Sequence, residues 1–273
     1  MSAIAATSSA AGLSHRVGVA RQVRLMARRS GSRTLRQPAL FIPVVSFPLI
    51  LMAVNAAGLS SVTKLPGFPT DRYVNFAVVV CFMQGALFAA ITAGTELAGD
   101  ISRGFIDRLS LTPASRVAVL LGSMAGAIVL ALGGAGLYTV VGVIFGVTFQ
   151  SGPLGALVLI MLAMYIAVAF VGMGAVMALL TGSAEAVQGL FPLLFVLLFL
   201  STMSLPREFI KQDWFRTVAT WNPLSYLIDG MRSLIITGWD AGALAAAFGV
   251  ATAIMVISYW WAARLLRTRM TRT

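Results

Sequence analysis

The chain has 273 residues, 59% of them hydrophobic and only 11% charged, with a mean hydropathy of +0.90. A soluble domain carries about a quarter charged residues, so composition alone places the chain in the membrane class. The net charge of +11 does not point to nucleic acid. The arginines cluster at the ends of apolar runs, where a positive-inside bias and anionic headgroups account for them, and no basic surface interleaved with aromatics remains.

Residues 1–13 are Ala- and Ser-rich and uncharged, without the basic and apolar regions of a signal peptide, and are expected to form a disordered tail. From Ser14 to Gln37 there are seven arginines and no acid. Val19, Val23 and Met26 fall on one helical face and Arg21, Arg24 and Arg28 on another. Segment 14–37 therefore reads as an amphipathic helix in the cytoplasmic interface, interrupted at Ser30-Gly31-Ser32, or as a solvated basic arm.

Six apolar runs follow in the remaining unit, 38–273. The first span covers about Ala39 to Ser60 and contains Pro43 and Pro48, which membrane helices tolerate where neighbours satisfy the freed carbonyls. The second covers about Tyr73 to Thr95, and the third about Ser115 to Phe145, with GxxxG pairs at Gly122/Gly126 and Gly142/Gly146 that suit close packing. A turn at Gln150-Ser151-Gly152-Pro153 leads to the fourth, about Leu154 to Thr181. The fifth covers about Ala186 to Met203. The sixth, about Ala241 to Ala263, ends in the interfacial anchor Tyr259-Trp260-Trp261. With a cytoplasmic N-terminus, the arm, the segment between spans two and three, and the C-terminal tail hold fourteen of the twenty Lys and Arg residues. Both termini are thus expected inside.

Between spans two and three lies ELAGDISRGFIDRLSLTPASR, residues 96–116. Ile101, Phe105 and Leu109 recur at i, i+4 and i+8, with Asp100, Arg103, Asp107 and Arg108 on other faces and Pro113 as a stop. A helix over 99–112 is too short to span a bilayer. It reads as a charged loop or as a docking surface at the membrane mouth.

Residues 204–238, between spans five and six, are expected to form two amphipathic exterior helices. Pro206 could open one with Ile210, Trp214, Val218 and Trp221 as its apolar stripe. Asn222-Pro223 signals the start of another, with Leu224, Leu227, Ile228, Met231, Leu234 and Ile235 on one face and Gly238 as its stop. These helices either anchor the fold at the interface or re-enter the outer leaflet as an exit gate.

The run with Glu96, Asp100, Gly104, Asp107-Arg108-Leu109, Thr112-Pro113 and Ser115-Arg116 resembles the motif between the second and third spans of type-2 ABC exporter membrane subunits, the daunorubicin-resistance-type permeases in particular. Asn222-Pro223-Leu224-Ser225-Tyr226, with Asp229 and Arg232, resembles the motif before the last span of the same family. The resemblance covers all but the first dozen residues. It implies a coupling role for Glu96, Asp100, Arg103, Phe105, Asp107, Arg108, Leu109 and Pro113, and a gate at Asn222, Pro223, Tyr226, Asp229 and Arg232. It also implies two copies of a separate cytosolic ABC ATPase carrying the ATP and Mg, and a second permease copy, identical or related.

The residues themselves exclude much chemistry. Neither Lys64 nor Lys211 lies in a GxxxxGK[ST] loop, so no cofactor site for ATP is expected on this chain. The single cysteine, Cys81, reads as a small buried hydrophobe and allows no intrachain disulfide. The single histidine, His15, rules out a histidine-based metal or triad site within the chain. No acid lies deep in a predicted span, which weakens an ion-coupled carrier. Asn55, Asn75, Gln84, Tyr138 and Tyr165 either line a pathway suited to an amphipathic or lipid-like cargo or make interhelical hydrogen bonds.

The expectation is an all-α polytopic permease subunit of the cytoplasmic membrane, not an enzyme, in contact with membrane lipid and not with nucleic acid. An ion-coupled drug exporter, an assembly protein and a type-2 permease for a polysaccharide or glycolipid are the alternatives.

Overall fold

The computed structural model describes residues 38–104 and 124–270, with Gly122 and scattered positions between 21 and 36. The expected tail at 1–13, most of the arm and residues 105–121 lie outside the described residues. The described arm positions from Arg21 to Ser32 are helical, including Ser30, Gly31 and Ser32 where a break was expected. Ser30 Oγ accepts the Gly126 amide at 3.0 Å, which fixes this part of the arm to the start of the third span.

Among the described residues the regular structure is entirely helical. Five helices are long and apolar enough to cross a membrane. These are α1 (Pro38–Gly58), α2 (Tyr73–Ser102), α3 (Ala125–Ile144), α4 (Gly152–Thr181) and, after the shorter elements, α9 (Ala241–Met270). Between α4 and α9 come α5 (Ala184–Gly189), α6 (Phe191–Phe199), α7 (Asp213–Trp221) and α8 (Pro223–Ile236). The chain is therefore a multi-pass membrane protein.

Helix α2 is the axis of the bundle. In its membrane window 83% of residues are buried, against 17% in α1 and in α9, so α2 is enclosed by protein while the other two show broad faces to their surroundings. The tightest crossing is with α4. A Cβ on Gly174 would sit 1.9 Å from the Ala90 carbonyl oxygen, and one on Gly94 2.8 Å from that of Gly174. Only hydrogen fits at either position, and small residues are what membrane helices use for such approaches. Gly142 meets Val78 of α2, as its motif suggested. Gly146, its expected partner, lies beyond the end of α3 at φ +81 and shapes the turn instead.

Proline chemistry explains the join of α1 to the bundle. Pro48 has no N–H for the Val44 carbonyl four residues earlier. Tyr138 of α3 fills the gap: its hydroxyl donates to Val44 O at 2.5 Å. Cys81, fully buried on α2, donates weakly to Pro48 O at 3.4 Å.

Side-chain contacts define two ends. At one, Arg72 Nη1 donates to Gly146 O, Asn75 joins Thr70 and Thr148, and the Gln150 amide donates to Ile235 O. Ser151 Oγ donates to Leu234 O there. The starts of α2, α4 and α9 and the finishes of α3 and α8 thus gather together. The opposite end holds the finishes of α2, α4 and α9 and the start of α5, which Ser183 caps by accepting the Ala186 amide at 3.2 Å. Ser183 also donates to Glu185 Oε2 and holds that exposed carboxyl below the usual carboxylate range.

The fifth span is not one helix, contrary to its uninterrupted apolar run. α5 and α6 are six and nine residues long, divided at Leu190, and residues 200–206 carry no helix. Gly189 and Pro192 flank the division, and both disfavour a helix interior. The path still runs from Glu185 at one end to Ser204 at the other, where Tyr73 Oη donates to Ser204 O at 2.9 Å.

Candidate functional site: the α8 helix and the broken fifth pass

Unwound backbone inside a bundle needs partners, because hydrocarbon supplies none. Here α8 supplies them. Its cap Asn222 accepts the Leu224 amide through Oδ1 at 2.9 Å and donates from Nδ2 to Leu197 O at 2.7 Å. Ser225 Oγ accepts the Thr202 amide at 3.2 Å. Arg232 donates from Nη1 to Thr202 O at 3.1 Å and from Nη2 to Met203 O at 3.2 Å. Three side chains, at the cap, the first turn and the third turn of α8, thus bond four backbone groups between residues 197 and 203.

Arg232 is 7% exposed, and its guanidinium lies over the Phe76 ring of α2 at 3.5 Å from the centroid. Asp229, one turn earlier on α8, provides the countercharge. It accepts from Thr202 Oγ1 at 2.9 Å and Arg207 Nη2 at 3.0 Å, with Arg232 Nη1 at 3.5 Å. Arg207 also covers the Tyr226 ring at 4.7 Å, and Tyr226 Oη donates to Thr220 O. Helix α2, residues 202–207 and α8 therefore meet in one charged and aromatic cluster. Of the residues expected at the gate, Tyr226, Asp229 and Arg232 lie in this cluster, whereas Asn222 and Pro223 stand at the start of α8 and line a separate cavity. Phe76, Thr202 and Arg207 join the cluster, and no local pattern marks these three.

α8 runs deep into the bundle. Its finish lies beside Gln150 and Ser151, whereas Asn222 and Leu224 share a cavity wall with Leu87 and Ala90 of α2 and Ile254 of α9. Fourteen residues span about 21 Å, which fits this descent. Leu224, Leu227, Ile228, Met231, Leu234 and Ile235 are all buried, as their spacing predicts, and Gly238 terminates the helix at φ +92. α7 differs from the expected helix. It begins at Asp213 instead of Pro206, after a 3-10 turn at Arg207–Phe209. Ile210 is buried ahead of the helix, while Trp214 and Trp221 are 63% and 83% exposed.

At the other end, Glu96 and Asp100 lie in the last two turns of α2, which continues past the predicted limit at Thr95 because charge ends a hydrophobic run but not a helix. The turn 99–102, assigned from sequence to the short helix 99–112, belongs to α2. Gly104, at φ +65, ends it. Arg103 pairs with Asp100 at 2.8 Å. Phe105, Asp107, Arg108, Leu109 and Pro113 fall outside the described residues. Of the polar residues within the spans, Tyr138 bridges two helices as described, Asn75 ties α2 to the loops at Thr70 and Thr148, and Tyr165 shares a hydrogen bond with Thr252 of α9 at 2.8 Å. Asn55 is half-buried on α1. Gln84 is fully buried, and among the described residues neither its amide nitrogen nor its oxygen has a partner.

The described residues form a helical multi-pass protein in which one short buried helix bonds the non-helical backbone that follows α6. The ABC-2 type transporter family model matches residues 21–236, and the chain belongs to that family. It is therefore a non-catalytic membrane subunit of an ABC exporter, a kind of subunit that works with a separate ATPase. The chain is similar to the probable doxorubicin resistance ABC transporter permease protein DrrC of Mycobacterium tuberculosis, in strains CDC 1551 / Oshkosh and ATCC 25618 / H37Rv. Each is 24% identical over 221 residues, 80% of this chain and 78% of the relative.

Proposed function

We propose that this chain carries an amphipathic drug-like or lipid-like molecule outward across the cytoplasmic membrane, driven by two copies of an ABC ATPase that bind the ATP and Mg. Both termini are cytoplasmic, the chain crosses six times with the fifth pass broken, and the α7–α8 end faces outward. The observation that carries the reading is the bonding of residues 197–203 by Asn222, Ser225 and Arg232. It ties the non-helical backbone after α6 to one helix, so α8 and that stretch act together as the exit gate. The doxorubicin resistance in the relative's printed name supports this cargo class. A second permease copy, identical or related, covers exposed apolar side chains of α1 and of the α6 face turned away from α9, among them Ile42, Ile50 and Val196.

The ATPase pushes on the segment after α2. Phe105 and Leu109 fit its groove, while Glu96, Asp100, Arg103, Asp107 and Arg108 orient the contact and Pro113 ends it. Phe105→Asp is expected to abolish ATP-dependent efflux from proteoliposomes and cargo-stimulated ATP hydrolysis while membrane insertion persists. Retained efflux would remove the coupling assignment. Efflux that ignores ATP and collapses with a proton uncoupler would replace the whole reading with an ion-coupled exporter.

A further inference from the structure

Between α6 and α9 a cavity of about 500 Å³ opens sideways. Its inner wall is buried and comes from α2, α4 and α5, with Leu87, Phe170, Gly174 and Val187 among its residues. Its two jambs are exposed: Leu193 and Leu197 on α6, Ile257 and Trp261 on α9. The polar side chains in the lining are already engaged. Asn222 bonds Leu197 and Leu224, and Ser258 Oγ donates to Met255 O. The cavity thus offers a ligand apolar surface and no unmet polar partner, so it selects hydrocarbon.

Size and charge narrow the occupant. An apolar cavity of ~150 Å³ holds one benzene ring, so this one has room for roughly twenty carbons, the scale of one long alkyl chain. The mouth opens where membrane-spanning helices face lipid, so the chain enters from the side. Arg264 lies seven residues after Ile257 and three after Trp261, on the jamb face of α9 and one turn beyond the mouth. Its guanidinium rests over Trp260 at 4.1 Å from the ring centroid, and among the described residues no carboxylate pairs with it. A cation at that position, on a side chain long enough to reach the headgroup layer, favours an anionic headgroup.

We infer that the α6–α9 cavity is a lipid site, which takes one acyl chain of an anionic glycerophospholipid from the leaflet on the Arg264 side, with the headgroup at Arg264. The lipid fills the gap that leaves α6 unsupported on the α9 side, and its chain reaches the Asn222–Leu224 apex of α8. The site requires neither ATP nor an ATPase, so it stands or falls separately from the export reading.

The test uses the full chain in nanodiscs holding phosphatidylglycerol with a diazirine in one acyl chain, irradiated and mapped by peptide mass spectrometry. Adducts are expected to concentrate on Met173, Met177 and Leu194. Leu193→Trp with Ile257→Trp, both at exposed positions, should close the mouth and lower those adducts about tenfold, or ~1.4 kcal/mol. Adducts at Ile144, exposed on α3, should stay constant and thereby report an intact fold. Arg264→Gln should remove any preference over a phosphatidylcholine probe of the same chain. Cavity adducts no denser than those at Ile144, or unmoved by the two tryptophans, would overturn the site. Equal labelling by both probes in the unsubstituted protein would overturn the anionic assignment. Displacement of the probe by an amphipathic amine at concentrations that leave Ile144 labelling intact would assign the cavity to cargo instead.

Discussion

α7 and α8 are neighbours in one connection, both short and both amphipathic, yet they meet different fates. Six apolar side chains of α8 are buried, and Asn222, Ser225 and Arg232 are spent on the backbone of the fifth pass. α7 buries only Ala219 and leaves Trp214 and Trp221 open. The difference is one of unmet backbone. Residues 197–203 need hydrogen-bond partners that lipid cannot give, α8 carries side chains that reach them, and α7 carries none. An amphipathic face shows that a helix wants a partner, but the polar face decides which helix is locked into the bundle.

The sharpest way to break this comparison is Arg232→Met. It strips partners from the Thr202 and Met203 carbonyls and leaves Asp229 with Arg207 and Thr202. A loss of about 3 kcal/mol is expected, the low end for breaking a buried pair because Asp229 is partly exposed. Thermal unfolding in detergent reads it, and an unchanged midpoint would make the cluster ornamental. Leu227→Ala, at a fully buried position, should cost about 2 kcal/mol through the void it leaves; Val218→Ala on α7 serves as its control. Asn222→Ala removes a cap and the partner of Leu197 O, worth about 1–2 kcal/mol, and should also raise hydrogen exchange at the start of α8. Trp221→Ala is the smallest change for stability, within about 0.5 kcal/mol. If α7 forms part of the exit, the same variant lowers efflux; equal efflux at equal stability would leave α7 an anchor.

The sequence made α8 legible because every signal for it is local. A cap followed by proline, apolar residues three and four apart, and a terminal glycine all sit within seventeen positions. The stripe of α7 was read with the right period but the wrong start, and periodicity names a face without saying what covers it. The fifth pass hid its break inside a run of leucine and phenylalanine, where hydropathy has no contrast to display; Gly189 and Pro192 were its only trace. The Gly94–Gly174 crossing joins residues eighty positions apart, and the Arg232 carbonyl contacts join residues about thirty apart. Such pairings are set by the packed bundle, so no window of sequence displays them. Tyr138 shows the converse. Its polarity suggested a pathway or an interhelical bond, and the proline at position 48 explains the bond it makes.

The central claim is that this permease is powered through a separate ATPase. Affinity purification of the full chain in mild detergent, with quantitative mass spectrometry of what accompanies it, tests that claim most directly. The account predicts an ATPase with a phosphate-binding loop at about one copy per permease, the ratio that two of each in one exporter requires, and its loss on Phe105→Asp. A folded, inserted permease that reproducibly purifies without any such ATPase would contradict it.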